Sequence, residues 1–325
     1  MPVKDPLDTS EELLSHCILC RSDNVKLTSK IKTSDICQLY MAYLSVDIYR
    51  EFKELEWLNY VECLQCGLKF FLPTVTGSAN FYERLSQASG ENYYLKNKSE
   101  YSLAGNFIHE HDTVLDIGAG RGHFSKYVKG SFAGLEFNES AISTAKENGI
   151  MLYNESIEEH ATKNHHSYSV ITAFQVLEHM SRPDLFIESC LKALRPGGLL
   201  ILSVPSEDSY ISLQENAVMN MPPHHLTRWT DVCLRNMSEI FGLSCVCLEH
   251  EILSSVHHMP YLQTIALQTI RSFLGIQPDS IIDRSLKTSA ITRMSRYLSP
   301  FYAKIFLKRE LLPHGHSVTA IFRKE

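Results

Sequence analysis

From residue 113 to 205 short apolar runs alternate with stretches of helical period, and glycine, proline or capping residues mark the changes. TVLDIGAG (113–120) is an apolar run ending in an acid and a glycine loop, and a helical pattern runs from Arg121 to Lys129. FAGLE (132–136) reads as the next strand, and a helix over 138–149 has its cap at Asn138 and its stop at Gly149. MLYN (151–154) and YSVITAFQ (168–175) are further strand candidates. Pro183 stands where a helix should begin, and that helix stops at Pro-Gly-Gly, 196–198. LLILSVP (199–205) is apolar through its centre, as a strand buried on both faces should be. Strands alternating with helices imply an α/β fold, a doubly wound parallel sheet with right-handed crossovers.

The loop Asp116-Ile117-Gly118-Ala119-Gly120-Arg121-Gly122 sits at the carboxyl end of the first of these strands. Its glycines let the backbone turn tightly and approach a ligand, and a following helix would aim free amides at it. The third glycine comes two residues after the second, whereas a dinucleotide fingerprint would place it three after; position 123 is histidine. Glu136 ends the second strand 20 residues beyond Asp116, where a carboxylate can accept hydrogen bonds from ribose hydroxyls. The plain alternative is a packing turn and a surface acid.

VLDIGAGRGHFS, GLEFNESAI, VITAFQVLEHM and LKALRPGGLLILSVPS resemble, in order, the motifs of class I S-adenosylmethionine-dependent methyltransferases. The resemblance covers about residues 100–250. It implies a Rossmann-like seven-stranded sheet whose last strand is antiparallel, with HSVTAIFRKE (316–325) as a suitable closing strand. It places Asp116, Gly118 and Gly120, with Gly122 of the same loop, against the methionine part of the cofactor, and Glu136 on its ribose. Ser156 and Ile157 match the stretch beside the adenine, with Ser156 where an aspartate is frequent. Phe174 and Gln175 would border the methionine and the transfer site. His179, in the Leu177-Glu178-His179-Met180 turn, is either a group facing the cofactor or a structural hydrogen-bonding residue.

Cys17-x-x-Cys20 and Cys63-x-x-Cys66 have the spacing of two zinc knuckles, each supplying two thiolates of a tetrahedral site. The 42 residues between them exceed a compact ribbon, so an insertion is expected there. Four thiolates leave no open position, so the zinc should be structural. Cys37, Cys190, Cys233, Cys245 and Cys247 have no partner spacing and read as core residues. Several methyltransferases of sugar and natural-product biosynthesis look similar here, with a four-cysteine module ending like CLQCGLKFFLP and then a Tyr-rich helix. That helix would be 81–101, offering Tyr82, Tyr93 and Tyr94 as a lid over cofactor and acceptor. Residues 1–72 carry net charge −3, which disfavours a nucleic-acid reader.

An acceptor that loses a proton on methylation needs a base near the methyl carbon. Met221-Pro222-Pro223-His224-His225-Leu226-Thr227-Arg228-Trp229-Thr230 offers two histidines on a loop stiffened by proline. A subset of zinc-module methyltransferases is similar in this segment, which closes their acceptor pocket. One of His224 and His225 is therefore the candidate general base; the alternative is a pair that only packs the loop. Residues 260–310 carry net +5 and leave −11 elsewhere, with Tyr261, Ile265, Leu267 and Ile270, then Ile305 and Leu307, at helical spacing. They read as a helical cap on the sheet, as a pocket for a phosphate-bearing or lipid-linked glycan, or as a peripheral membrane contact.

The expected division is 1–80 zinc module, 81–255 cofactor-binding core with its lid helix, 256–312 helical cap, and 313–325 closing strand. The N-terminus is polar and acidic, and no apolar run reaches the ~18 residues of a membrane span. A cytoplasmic protein is expected, its nine cysteines, an odd number, serving as thiols or metal ligands. The leading functional expectation is a transferase that methylates oxygen or carbon of a small polar, sugar-like or natural-product acceptor. Alternatives are a macromolecular (RNA or protein) methyltransferase, a catalytically silent cofactor-binding scaffold, and a zinc-dependent binding module.

Overall fold

The computed structural model describes residues 16–90, 98–277, 280–307 and 312–325. Its strands are β1 Val25–Lys32, β2 Trp57–Cys63, β3 Lys69–Leu72, β4 Thr113–Ile117, β5 Ser131–Leu135, β6 Leu152–Tyr153, β7 Tyr168–Phe174, β8 Leu194–Pro205, β9 Thr227–Arg228, β10 Leu243–Ile252 and β11 His314–Lys324. The helices are α1 Thr33–Leu44, α2 Tyr49–Phe52, α3 Ala79–Ser89, α4 Ser99–Gly105, α5 Glu139–Glu147, α6 Ile157–Lys163, α7 Pro183–Ala193, α8 Asp231–Phe241, α9 His258–Leu274 and α10 Leu286–Phe306.

Seven strands form one sheet in the order β10-β11-β8-β7-β4-β5-β6. The run from β8 to β6 is parallel, and β11 is antiparallel to both β8 and β10, the arrangement expected from the sequence. The local signals hold as well. Asn138 caps α5 by accepting from the Ala141 amide, and Pro183 opens α7. β8 is buried from Gly198 to Pro205, as a central strand must be. The chain order reverses between β4 and β7, and such a switch point opens a crevice at the carboxyl ends of the strands.

One helix expectation is corrected. The segment 121–129 forms only a 3₁₀ turn, His123–Tyr127. Gly120 and Gly122 both take left-handed conformations, φ +55° and +72°, which use up the residues a first helical turn would need. Phe124 is then drawn under the sheet, fully buried against Tyr101 and Phe174.

A second, four-stranded sheet has the order β1-β2-β3-β9. Its last member is the two-residue strand inside the Pro-Pro-His-His segment, pairing Phe70 with Thr227. One apolar cluster runs from Cys17 and Cys66 through Leu115 and Ile171 to Phe322, so the cysteine segment and the large sheet share a core. Helices α9 and α10 pack together through Leu267, Ile270 and Ile291. Buried Arg271 ties them down through Glu215 (2.5 Å), Thr288 (2.7 Å) and Asp283 (3.4 Å). Of the two residues read at helical spacing there, Ile305 is exposed, whereas Leu307 packs inward with Tyr302, Ala303 and Phe306. Met294, Tyr297 and Phe301 join it in an exposed apolar row beside Arg293 and Arg296. Among the described residues no helix is long and apolar enough to cross a membrane.

Candidate active site

The glycine loop leaves β4 over a buried acid. Asp116 is 2% exposed and accepts a hydrogen bond from Thr172 Oγ1 at 2.7 Å. Burial pushes its carboxyl up to about 7, while the Thr172 hydroxyl and the Lys98 charge pull the other way. Gly118 has φ +68°, and a Cβ there would stand 2.5 Å from Val176. Gly134 was not singled out from the sequence, yet a Cβ on it would lie 2.7 Å from the Ala119 Cβ, so glycine lets β5 meet the loop. The only sequence signal was a glycine inside a strand.

Glu136 binds the loop to the next helix. Its Oε2 accepts from the Gly120 amide (2.8 Å), and Oε1 accepts from Phe137 (2.9 Å) and Asn138 (2.8 Å). A carboxylate oxygen has two lone-pair sites, so Oε2 keeps one for a ribose hydroxyl. Close-approach glycines and this carboxylate at the switch point fit a nucleoside-bearing cofactor.

Four other residues expected beside the cofactor also have structural roles. The Ser156 hydroxyl is the N-cap of α6, in a capping box with Glu159, and Ile157 is buried in the sheet core. Ser156 serves as the cap that starts α6, and Ile157 as its apolar anchor. Phe174 is a core ring, edge-on to Tyr101 and Phe124 at 4.9 and 4.7 Å. Gln175 takes φ +60°, a strained position for a non-glycine, and its side-chain amide donates to Ser203 and Ser317.

Two residues beyond Gln175 the chain enters the turn that carries Glu178 and His179, and the Pro-Pro-His-His loop folds onto it. The Leu226 amide donates to the Glu178 carbonyl (2.8 Å), and the Phe71 amide donates to the Leu226 carbonyl (3.1 Å). The second sheet therefore holds this loop against the first. Rings of His179, His224 and His225 meet at centroid distances of 4.4–5.0 Å. Tyr82 of α3 stands edge-on at 6.1 Å from His179, whereas Tyr93 and Tyr94 lie outside the described residues.

Each of the three rings is held through Nδ1. His179 donates to the His224 carbonyl (2.6 Å), His224 to the Met219 carbonyl (2.9 Å) and His225 to Asn220 Oδ1 (3.0 Å). Carbonyl oxygens only accept, so each Nδ1 carries the proton and each Nε2 has its lone pair free of it. Burial disfavours the cations, bringing His179 down to about 4, His224 to about 3 and His225 well below the usual value. Arg228 steadies the loop by donating to the Asn220 carbonyl at 2.9 Å.

Glu178 has no role in the sequence reading, yet it is 1% exposed and both carboxylate oxygens lack a hydrogen-bond partner. Burial pushes it up to about 8. Its Oε1 faces His179 Nε2 at 3.8 Å and His225 Nε2 at 4.0 Å. The available signal was an acid set in an otherwise apolar run.

The cysteines form the second cluster. Cys17 and Cys66 sulfurs are 3.6 Å apart, Cys20 and Cys63 sulfurs 3.5 Å, and one ligand atom from each of the four lies within 4.8 Å of the others. Tetrahedral bonds of about 2.3 Å would separate sulfurs by about 3.8 Å, so the four fit one zinc ion. Cys233, read as a core residue, packs in the same buried cluster. The groove at the opposite, amino end of the strands, about 400 Å³ and lined by Asn106, His109, Arg195 and Arg323, contains none of these groups.

Residues 87–248 match the family described as "Methyltransferase domain". The ubiquinone biosynthesis O-methyltransferase of Vibrio cholerae is 33% identical over 167 residues, covering 47% of this chain and 68% of that protein. The protein of the same name from Citrobacter koseri is 32% identical over 99 residues, 28% of this chain; the chain spans 41% of that relative's length. A SAM dependent methyltransferase from Archaeoglobus fulgidus superposes with a TM-score of 0.48 at 16% identity, covering 76% of this chain and 100% of that one. The chain belongs to the class I S-adenosylmethionine-dependent methyltransferases.

Proposed function

We propose that the chain transfers a methyl group from S-adenosylmethionine to a hydroxyl oxygen of a small-molecule acceptor. One observation carries this reading. The cofactor-type loop and the histidine cluster meet at one strand terminus, because β7 runs beside β4 and then leads within five residues to Glu178 and His179.

The bound cofactor supplies an electrophilic methyl carbon on a sulfonium. Gly118, Gly120 and Glu136 hold and orient it, with Glu136 on the ribose hydroxyls. A free Nε2 of His224 or His225 takes the acceptor's proton as the oxygen–carbon bond forms and the carbon–sulfur bond breaks, its electron pair staying on sulfur. Tyr82 and the apolar rings around it keep water from the site. The four cysteines hold a structural zinc, which keeps β2 and β3 in place and so keeps the histidine loop in place.

The relatives' printed name concerns ubiquinone, so hydroxylated aromatic acceptors come first in a screen and nucleotide sugars or glycan intermediates second. The exposed row on α10 with its arginines supports a peripheral role near an apolar or anionic partner surface.

The test is a calorimetric titration with S-adenosylmethionine and with its demethylated product, followed by transfer of labelled methyl to these panels. Binding of both and labelling of an acceptor are expected. A folded, zinc-loaded protein that binds neither overturns the reading.

A further inference from the structure

A single imidazole suffices for a general base, but this site gathers three and a buried carboxylate. Three ring nitrogens cluster beside a buried carboxyl, both of whose oxygens lack a hydrogen-bond partner. Such a set of acceptors is costly to bury, and a buried group with no partner calls for one that the chain does not provide. A cation set among these groups would supply the missing partner.

The histidines have the attachments of metal ligands. Each Nδ1 donates to a carbonyl oxygen, of His224, Met219 or Asn220, which fixes the tautomer and turns Nε2 outward from its anchor. One ligand atom from each of the three rings lies within 4.8 Å of the other two. Ligands at about 2.0–2.1 Å from a common ion sit somewhat closer together, so modest ring rotations suffice to gather them. The Glu178 carboxylate, 3.8 and 4.0 Å from two of these nitrogens, supplies the negative charge.

We propose that Glu178, His179, His224 and His225 form a second metal site, binding one divalent transition-metal ion at the acceptor end of the crevice. Imidazole nitrogens with one carboxylate suit zinc, iron or a similar ion rather than magnesium or calcium. An acceptor hydroxyl held on such an ion would be acidified and would give its proton to solvent as it binds, leaving the oxygen's electron pair to attack the methyl carbon. The ion then takes over the activation assigned above to a free imidazole. That role rests on the methyl-transfer reading; the binding itself does not.

The experiment titrates the full chain, its cysteine-bound zinc retained, with cobalt(II). The expected result is one further ion per chain, with weak visible ligand-field absorption and no intense thiolate charge-transfer band. Glu178→Gln and His225→Gln should each weaken that binding at least about 10-fold, with the zinc content and melting profile of the wild type. Should one variant fold poorly, His179→Gln provides the same reading from the other segment. No ion beyond that on the cysteines, cobalt seen only through the thiolate band, or binding unchanged in the variants overturns the site. A second ion bound by a chain that takes up neither S-adenosylmethionine nor its product leaves the metal site standing and removes the methyl-transfer reading.

Discussion

The cysteine cluster and the histidine cluster are each assembled from two short segments, but they use opposite logic. Four thiols from Cys17, Cys20, Cys63 and Cys66 can surround an ion completely and pack into the apolar core shared by both sheets. Three imidazoles are instead aimed by carbonyl anchors beside an unpartnered carboxyl, with Tyr82 over them. Closed coordination suits holding strands together, while anchored, directional ligands suit chemistry. One cluster should therefore govern stability and the other turnover.

The largest expected effect falls on the cysteine side. Cys63→Ser or Cys66→Ser should abolish stoichiometric zinc and destabilise the chain by several kcal/mol, a drop in Tm of roughly 10 °C or more. Metal analysis with thermal melting checks this, and full zinc with an unchanged melt would erase the contrast. Next comes His224→Gln or His225→Gln, expected to reduce kcat by roughly 10²–10⁴-fold while shifting Tm by only a few degrees. Wild-type turnover in both would remove the histidines from the chemistry.

Glu136→Ala belongs to neither cluster and should weaken cofactor binding by about 1.5–3 kcal/mol with both metal contents unchanged. Calorimetry reads it directly. Asp116 offers a test through pH. Its carboxyl is raised from 3.8 to about 7 by burial, so the folded protein holds the proton more tightly than the unfolded chain. Its contribution is greatest below the unfolded value and is lost as pH rises toward 7, at up to about 1.4 kcal/mol per pH unit. Denaturant titrations of cofactor-free protein should show Asp116→Asn flattening that fall between pH 4 and 7. The smallest effect is Ser156→Ala, expected to cost about 1 kcal/mol through its lost helix cap. A larger loss of cofactor affinity than of stability would return Ser156 to the cofactor site.

How much could be read in advance varies with the range of the interaction. The glycine loop, Glu136 at the end of β5 and the Asn138 cap were legible, since each depends on neighbours a few residues away; the antiparallel closing strand was legible only through the family resemblance. The helix expected over 121–129 was not, because two left-handed glycines override helical periodicity there. Ile157 and Phe174, expected beside the cofactor, pack their side chains into the core, and a one-dimensional motif does not say which way a side chain turns.

The cysteine pairs announce themselves because two thiolates of a zinc knuckle are set by one tight turn, so their spacing is a property of the local chain. The histidine site has no such spacing. Glu178 is an acid in an apolar run until β9 pairs with β3 and carries His224 and His225 across to it. Chain geometry over a few residues settles turns, caps and knuckles. Which distant lone pairs face one another in a dry interior is settled only when two sheets pack, because burial removes water and leaves those groups to one another.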